Sequence, residues 1–331
     1  MKTLLVGGSI DTMKKSSIIK ELGEFFNDIQ IQNGLTPDTL KGFDLTIWMP
    51  NYPNTWNKEY PIKDKASVLI CSKVMRQGHT HVDSCARIFE MQGNAVIEIY
   101  KEEDIFSFEL RDALNYCWCN KTPYLAVLYE GIKSLYKWTK SQSRRSLIQQ
   151  PELTITNIKT DTDLYYKFIQ INKQLADKVA ENCGNRFFGN YSNRCTKLFP
   201  SYRNSDNLFC FSPRNIDKRY VTIIDKVICD YNYYYGNRKP SIDTPVQLEV
   251  YKNFPGINYI IHGHAYIEKA VYTDNYFPCG DMREVEELIK LYKKGHELIN
   301  CKHHGFVILC ETIEDVEKYY NDSNFITVWN K

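Results

Sequence analysis

Short apolar segments alternate with amphipathic ones through the first half of the chain. The apolar segments include KTLLVGG, FDLTIWMP, ASVLICSK and AVIEIYK, and the intervening runs include SSIIKELGEFF and HVDSCARIFEMQ. A strand that is apolar on both sides has to be covered on both sides, which is typical of parallel sheets. Alternation with helices therefore predicts an α/β unit with a doubly wound parallel sheet.

This first unit is predicted to be Rossmann-like or flavodoxin-like and to span residues 1–145, with an unknown ligand. Ligands of such sheets bind at the carboxyl ends of strands, where Gly7-Gly8-Ser9 follows the first strand. The segment lacks the G-x-G-x-x-G spacing and the P-loop lysine, so a tight turn is the simpler interpretation. The long loop around Trp56 and Tyr60 is either a binding loop or a surface loop packed on its own aromatic residues.

The chain becomes polar between residues 140 and 154, in KSQSRRSLIQQPELT, which is predicted to be a linker. A length of 331 residues is sufficient for two domains. The second domain is expected to comprise residues 146–331.

Bulk properties argue against several classes of protein. A formal net charge of +2 argues against a dedicated nucleic-acid or membrane surface. The 11 cysteines are scattered without a disulfide framework, and no signal segment precedes MKTLLVGGS. The apolar runs are far shorter than a membrane-spanning helix. The expected protein is cytoplasmic, with reduced thiols and a small-molecule substrate.

Three histidines in the second half have the spacing of zinc ligands. His262 and His264 end a strand-like run, and alternate strand residues point to the same side. A second strand-like segment supplies His303 or His304. Three protein ligands leave one position open, as in catalytic zinc sites. A purely structural role for the His-x-His pair is the alternative.

A further His-x-His pair, His79 and His81, lies in the first unit. No third histidine lies close to it in the sequence. It is therefore predicted to have no metal role.

Six short segments follow one another in the second half of the chain. In order they are Gly189-Asn190-Tyr191-Ser192, Ser212-Pro213-Arg214, Lys239-Pro240-Ser241-Ile242-Asp243, Pro255 to His264, Phe277-Pro278-Cys279-Gly280 and His303-His304-Gly305. Together they make residues 160 to 325 similar to the class II aldolase/adducin family, in particular to fuculose-phosphate aldolases. The resemblance implies an aldolase/adducin-like α/β/α domain.

The resemblance implies a role for each member of the metal site. Zn²⁺, or another divalent metal, would be held by His262, His264 and His304, since the family pattern uses the histidine next to the glycine. His303, on the opposite face of a strand, would point away. Asp243 stands where the family has its catalytic glutamate, one methylene longer. The alternative for Asp243 is a helix N-cap.

The resemblance also implies a phosphate-binding set around the Gly-Asn loop. One serine of the family pattern is replaced by Ile242. The implied set comprises Gly189, Asn190, Ser192, Ser212, Arg214 and Ser241.

The segment between His264 and Phe277 is shorter than in the family, where it lends an aromatic residue to a neighbouring subunit. Tyr266, Tyr272 or Tyr276 would replace that residue, or pack on a surface that is rich in tyrosine. The family usually assembles as rings of four, so a homo-oligomer, a tetramer, is expected.

The sequence thus favours a zinc-dependent lyase, which cleaves a carbon–carbon bond through a metal-stabilised enediolate in a small phosphorylated sugar or keto acid. A dehydratase or decarboxylase of the same family would use the same site. A non-catalytic, adducin-like interaction module is a further alternative, and so is a chain whose first domain binds the ligand while the second serves as an oligomerising scaffold.

Overall fold

The computed structural model describes residues 1–7, 13–33, 40–49, 67–91, 93–103, 105–142, 147–149, 170, 189–194, 208–214, 222–228, 231–235, 238–277 and 279–327. The chain divides into two compact units, Met1–Ser141 and Gln142–Lys331. The sequence pattern placed this boundary after residue 145. Gly8, Ser9 and the loop containing Trp56 and Tyr60 lie outside the described residues.

The first unit contains a seven-stranded sheet in the order β2-β1-β3-β4-β5-β6-β7. The first five of these strands pair in parallel, and β6 and β7 add antiparallel pairs. The elements are β1 Lys2–Gly7, α1 Met13–Gly23, β2 Asp28–Asn33, β3 Leu45–Trp48, β4 Val68–Val74, α2 His81–Met91, β5 Ala95–Glu102, β6 Ile105–Asp112, β7 Cys117–Thr122 and α3 Leu125–Gln142.

Helices cover both faces of this sheet. Ile19 of α1 and Leu128 of α3 pack on one face with Leu5. Ile88 of α2 packs on the other face with Leu4. The order 2-1-3-4-5 is that of flavodoxin-like sheets, so the predicted doubly wound α/β fold is confirmed. The sequence pattern did not predict the β6–β7 hairpin, which extends the parallel sheet at one edge.

The second unit contains a nine-stranded sheet in the order β15-β16-β17-β13-β9-β10-β11-β12-β8, and β14 pairs with β18 separately. The strands are β8 Leu147–Gln149, β9 Asn190–Arg194, β10 Phe209–Phe211, β11 Thr222–Ile228, β12 Tyr231–Tyr235, β13 Tyr259–Gly263, β14 Ala265–Ile267, β15 Val271–Tyr272, β16 Leu298–Cys301, β17 Gly305–Cys310 and β18 Phe325–Thr327. The described helices of this unit are α4 Thr244–Asn253, α5 Arg283–Tyr292 and α6 Ile313–Asp322.

Helices again lie on both faces of the sheet. Val250 of α4 and Leu288 of α5 pack on one face with Ile260. Val316 of α6 packs on the other with Ile261. This α/β/α layering matches the expected fold class.

One segment of the predicted linker is a strand. Residues 147–149 form β8, which pairs in parallel with β12 at the edge of the second sheet. Its short apolar pair Leu147-Ile148 was outweighed by the polar residues around it, so composition alone did not reveal it. No helix among the described residues has the length and apolar character needed to cross a membrane.

Candidate metal centre and active site

The candidate site lies where β13 pairs with β9 on one side and β17 on the other. His262 of β13 is opposite Asn190 of β9 and Val307 of β17. His264 follows the end of β13, and His304 occupies the turn between β16 and β17, closed by a hydrogen bond from its backbone N–H to the Cys301 carbonyl (3.0 Å). Antiparallel pairing of three central strands therefore brings together residues from distant parts of the sequence.

The three imidazoles form a compact, buried cluster. Ring centroids are 4.6 Å apart for His262 and His304, 5.1 Å for His262 and His264, and 5.6 Å for His264 and His304. One ring nitrogen from each histidine lies within 4.8 Å of the others. This spacing agrees with three nitrogens around one ion, each about 2.0–2.1 Å from it.

Hydrogen bonds select the tautomers of two of these histidines. Nδ1 of His262 lies 2.9 Å from the carbonyl oxygen of Phe306, and Nδ1 of His304 lies 2.9 Å from Oε1 of Glu284. Because both partners accept hydrogen bonds, each Nδ1 carries a proton, and in the neutral form of each ring Nε2 keeps the lone pair. Nε2 of His304 is buried without a hydrogen-bond partner in the described part of the chain. This donor set fits a divalent metal such as zinc.

Two glycines allow the strands to approach closely enough to build the cluster. Gly305 has φ +148°, and a Cβ added to it would lie 2.0 Å from the Gly263 carbonyl oxygen. Gly189 has φ +73°, and its Cβ would lie 2.5 Å from the His262 carbonyl oxygen. Any side chain at either position would displace the backbone that carries His262.

His303 lies outside the cluster. It is exposed in the β16–β17 turn with φ +51°, and its backbone N–H donates to the Tyr266 hydroxyl (3.0 Å). The sequence pattern placed His303 on the opposite face of a strand. The strand begins only at Gly305, so the conformation of the turn directs the two adjacent histidines to different sides.

Asp243 lies beside the histidines, directly before α4. Its Oδ2 accepts hydrogen bonds from Asn190 Nδ2 (2.8 Å) and Ser241 Oγ (3.2 Å) and lies 3.9 Å from Nε2 of His262. Its Oδ1 is buried with no hydrogen-bond partner among the described residues. The residue occupies the N-cap position, but its side chain makes no capping hydrogen bond. The capping alternative therefore does not explain this carboxylate.

Sequence reasoning missed Gln247, which fixes the orientation of Asn190. Nε2 of Gln247 donates to Oδ1 of Asn190, whose Nδ2 in turn donates to Asp243. Gln247 is four residues after Asp243, and residues with this spacing share one face of a helix. That spacing was the available signal. The amide oxygen and nitrogen of Asn190 thus both take part in hydrogen bonds that fix the position of Asp243.

Three of the residues predicted to bind phosphate, Ser192, Ser212 and Arg214, have different environments. Ser192 is fully buried and its hydroxyl contacts the Tyr251 hydroxyl (3.0 Å). Ser212 is also fully buried, and its Oγ accepts from the Tyr191 backbone N–H (3.1 Å). These two hydroxyls stabilise the sheet. By contrast, Arg214 is exposed and interacts electrostatically with Asp243.

Two more residues belong to the site: Glu284, which the sequence did not single out, and Cys279, which lies in one of the six segments that resemble the family. Burial pushes the pKa of His304 down, but the charges of Cys279 and Glu284 outweigh burial and hold it well above the ordinary value of histidine. A metal ion therefore competes with a proton at this imidazole. Ligand atoms of Asp243, Cys279 and His304 also lie within 4.8 Å of one another.

The three candidate tyrosines have different environments. Tyr266 is buried and its ring lies 5.3 Å from that of Tyr272. Tyr272 is 38% exposed, and the half-buried Tyr276 lies 6.1 Å from the His303 ring. Tyr266 is thus part of the packed interior, while Tyr272 and Tyr276 reach the surface.

The first unit contains a polar cluster that the sequence did not predict. Nδ1 of His81 lies 2.8 Å from Oε1 of Glu98, a partner 17 residues away in the sequence. Ligand atoms of His81, Glu98 and Glu109 lie within 4.8 Å of one another, and the absence of a metal role for His81 stays a prediction. The Tyr100 hydroxyl contacts both Glu98 and Glu109, and Arg111 pairs with Glu109. The partners come from neighbouring strands, so only sheet pairing reveals them. Hydrogen bonds and ion pairs within the protein hold this cluster together.

Residues 168–273 match the family model described as Class II Aldolase and Adducin N-terminal domain. The family resemblance is therefore confirmed for these residues. The matched segment contains Asn190, Asp243, His262 and His264, and it ends before His304.

Individual proteins of known name are also similar to this chain. An L-fuculose phosphate aldolase of Methanococcus maripaludis is 25% identical, in a match that covers 33% of this chain and 71% of the relative. The solved structure of an L-fuculose 1-phosphate aldolase is 16% identical with a TM-score of 0.36, and the match covers 49% of this chain and 81% of that one. An L-fuculose-1-phosphate aldolase of Thermus thermophilus is 14% identical with a TM-score of 0.34, and the match covers 48% of this chain and 87% of that one.

Proposed function

We propose that this protein, whose residues 168–273 belong to the class II aldolase/adducin family, is a lyase of the aldolase type that depends on zinc or another divalent metal. Its substrate is a small phosphorylated sugar or a keto acid. The observation that carries the proposal is the group of three buried imidazoles with the Asp243 carboxylate 3.9 Å from Nε2 of His262.

The metal would be held by His262, His264 and His304. When bound, it supplies a Lewis acid that polarises a substrate carbonyl or hydroxyl oxygen. The protein orients two of the ligands through Nδ1, using the Phe306 carbonyl for His262 and the Glu284 carboxylate for His304.

Asp243 is the proposed general acid/base. Asn190 and Ser241 hold its Oδ2, while Oδ1 has no hydrogen-bond partner among the described residues and is available to exchange a proton with the substrate. Because the carboxylate is buried, solvent water competes little for that proton. Aspartate is shorter than the glutamate of the family, but hydrogen bonds from its neighbours fix its position. One of these neighbours is Asn190, which is itself oriented by Gln247.

Arg214 is the proposed contact for the substrate phosphate. It is exposed, follows the buried Ser212, and lies close enough to Asp243 to interact with it electrostatically. A guanidinium can bind phosphate with two parallel hydrogen bonds. The backbone at Gly189, which passes directly against His262, forms another part of this anion site.

A panel of substrates tests the lyase activity. Chelator-stripped and zinc-reloaded protein is incubated with ketose and aldose phosphates, the matching unphosphorylated sugars and keto acids. We expect release of a carbonyl product only from the zinc-loaded protein, with a preference for phosphorylated substrates that Arg214→Ala reduces through KM. Loss of water or release of CO₂ instead would identify a dehydratase or a decarboxylase. The absence of any product would favour the non-catalytic module.

A homo-oligomer is the proposed assembly, with four subunits as in the family. The aromatic surface at Tyr272 and Tyr276 supplies contact area close to the turn that carries His304. Light scattering at micromolar concentration should report a mass of four chains, and a monomer mass would contradict this. A cytoplasmic location is proposed as well, because the 11 cysteines are scattered and do not have the spacing of a disulfide framework.

A further inference from the structure

Glu284 is a carboxylate placed inside an apolar layer. It lies in the first turn of α5 and is only 2% exposed. The neighbouring residues Val285 and Leu288 belong to the hydrophobic cluster between α4, α5 and the sheet. A buried charge costs free energy unless it is paired and hydrogen-bonded. The Glu284 carboxylate therefore needs a hydrogen-bonding or oppositely charged partner inside the protein.

The partner of Glu284 is His304. Oε1 of Glu284 lies 2.9 Å from Nδ1 of His304, and both side chains are almost completely buried. Burial, and after it the neighbouring Glu284 carboxylate, raises the pKa of the Cys301 thiol at the end of β16. A carboxylate is a stronger acceptor than a backbone carbonyl, so His304 is held differently from His262, whose Nδ1 donates to Phe306.

We propose that Glu284 is a positioning residue that holds His304 in the tautomer and ring orientation required for metal binding. The inference rests on the proposed metal site. By accepting the Nδ1 proton, Glu284 leaves the lone pair of His304 on Nε2, directed at the other imidazoles, and increases the basicity of that nitrogen. Glu284 itself does not contact the metal or the substrate.

The experiment measures zinc affinity rather than activity. The Glu284→Gln variant keeps the size of the side chain and removes its charge. Competition with a chromophoric chelator should show zinc affinity weakened by about 10- to 100-fold, the range observed when carboxylates that support metal-binding histidines are changed. The matched control is Glu286→Gln, since Glu286 is on the same helix but exposed, and its affinity should equal that of the wild type.

Thermal melting in excess chelator separates positioning from general damage to the fold. We expect the metal-free melting temperatures of wild type and Glu284→Gln to differ much less than their zinc affinities. If Glu284→Gln does not fold, Glu284→Asp replaces it, because aspartate keeps the charge but is one methylene too short to hold the same hydrogen bond. This variant should also bind zinc more weakly.

Two results would overturn the inference, and they can be told apart. Wild-type zinc affinity in a folded Glu284 variant overturns the positioning role alone. A wild-type protein that binds no zinc overturns the metal-dependent function together with this role.

Discussion

Replacing His304 by alanine should abolish most of the proposed zinc binding, whereas replacing His303 by asparagine should leave it unchanged. The two residues are adjacent, but only His304 is buried with its Nε2 among the other imidazoles. The binding free energy of structural zinc sites with four protein ligands is about 10–16 kcal/mol. A quarter of this is lost with one ligand, so zinc affinity should fall by roughly 10²- to 10³-fold. Equilibrium dialysis followed by elemental analysis measures both variants.

Asparagine is the appropriate control at position 303. His303 has φ +51°, a conformation that asparagine tolerates and alanine does not favour. The control thereby separates loss of the imidazole from strain in the turn. Equal loss of zinc in both variants would mean that the turn, and not the His304 ring, determines metal binding. Retention of zinc in the His304 variant would remove the three-histidine site.

The Asp243→Asn variant should fold and bind zinc but lose turnover by a factor on the order of 10² to 10⁴. Asparagine has nearly the same shape, and its oxygen can still accept the hydrogen bond from Asn190. What disappears is the ability to take up and release a proton at the buried Oδ1. Steady-state turnover on the best substrate of the panel, with zinc content measured in parallel, gives the result.

Asp243→Glu tests whether the pocket is fitted to aspartate. The longer side chain would carry the carboxylate past Asn190 and Ser241, which hold Oδ2 at 2.8 and 3.2 Å. We expect lower turnover, because a shift of about 1 Å in a catalytic group is costly. Turnover equal to or above that of the wild type would mean that the pocket still accepts the glutamate of the family. Equal turnover of the wild type and Asp243→Asn would remove Asp243 as the acid/base.

Local sequence patterns predicted the elements of the fold well where one periodicity dominated. Apolar runs such as KTLLVGG and AVIEIYK became β1 and β5, and SSIIKELG became most of α1. The pattern failed at β8, where three residues take part in a sheet built largely by distant strands. It failed again at β6 and β7, where an antiparallel hairpin follows the last parallel strand. The pairing partners of a strand are not encoded in its own periodicity.

The order of residues along the chain established which side chains are available for chemistry: His262 and His264 at strand spacing, His304 beside an obligatory glycine, and Asp243 before a helix. How these side chains are held became visible only in the folded protein. The fold pairs Glu284 with His304 and Gln247 with Asn190, and it uses the hydroxyls of Ser192 and Ser212 inside the sheet. Spacing along the chain specifies which face a residue occupies, but a hydrogen bond between a helix and a strand depends on how the two elements pack, which no local pattern records.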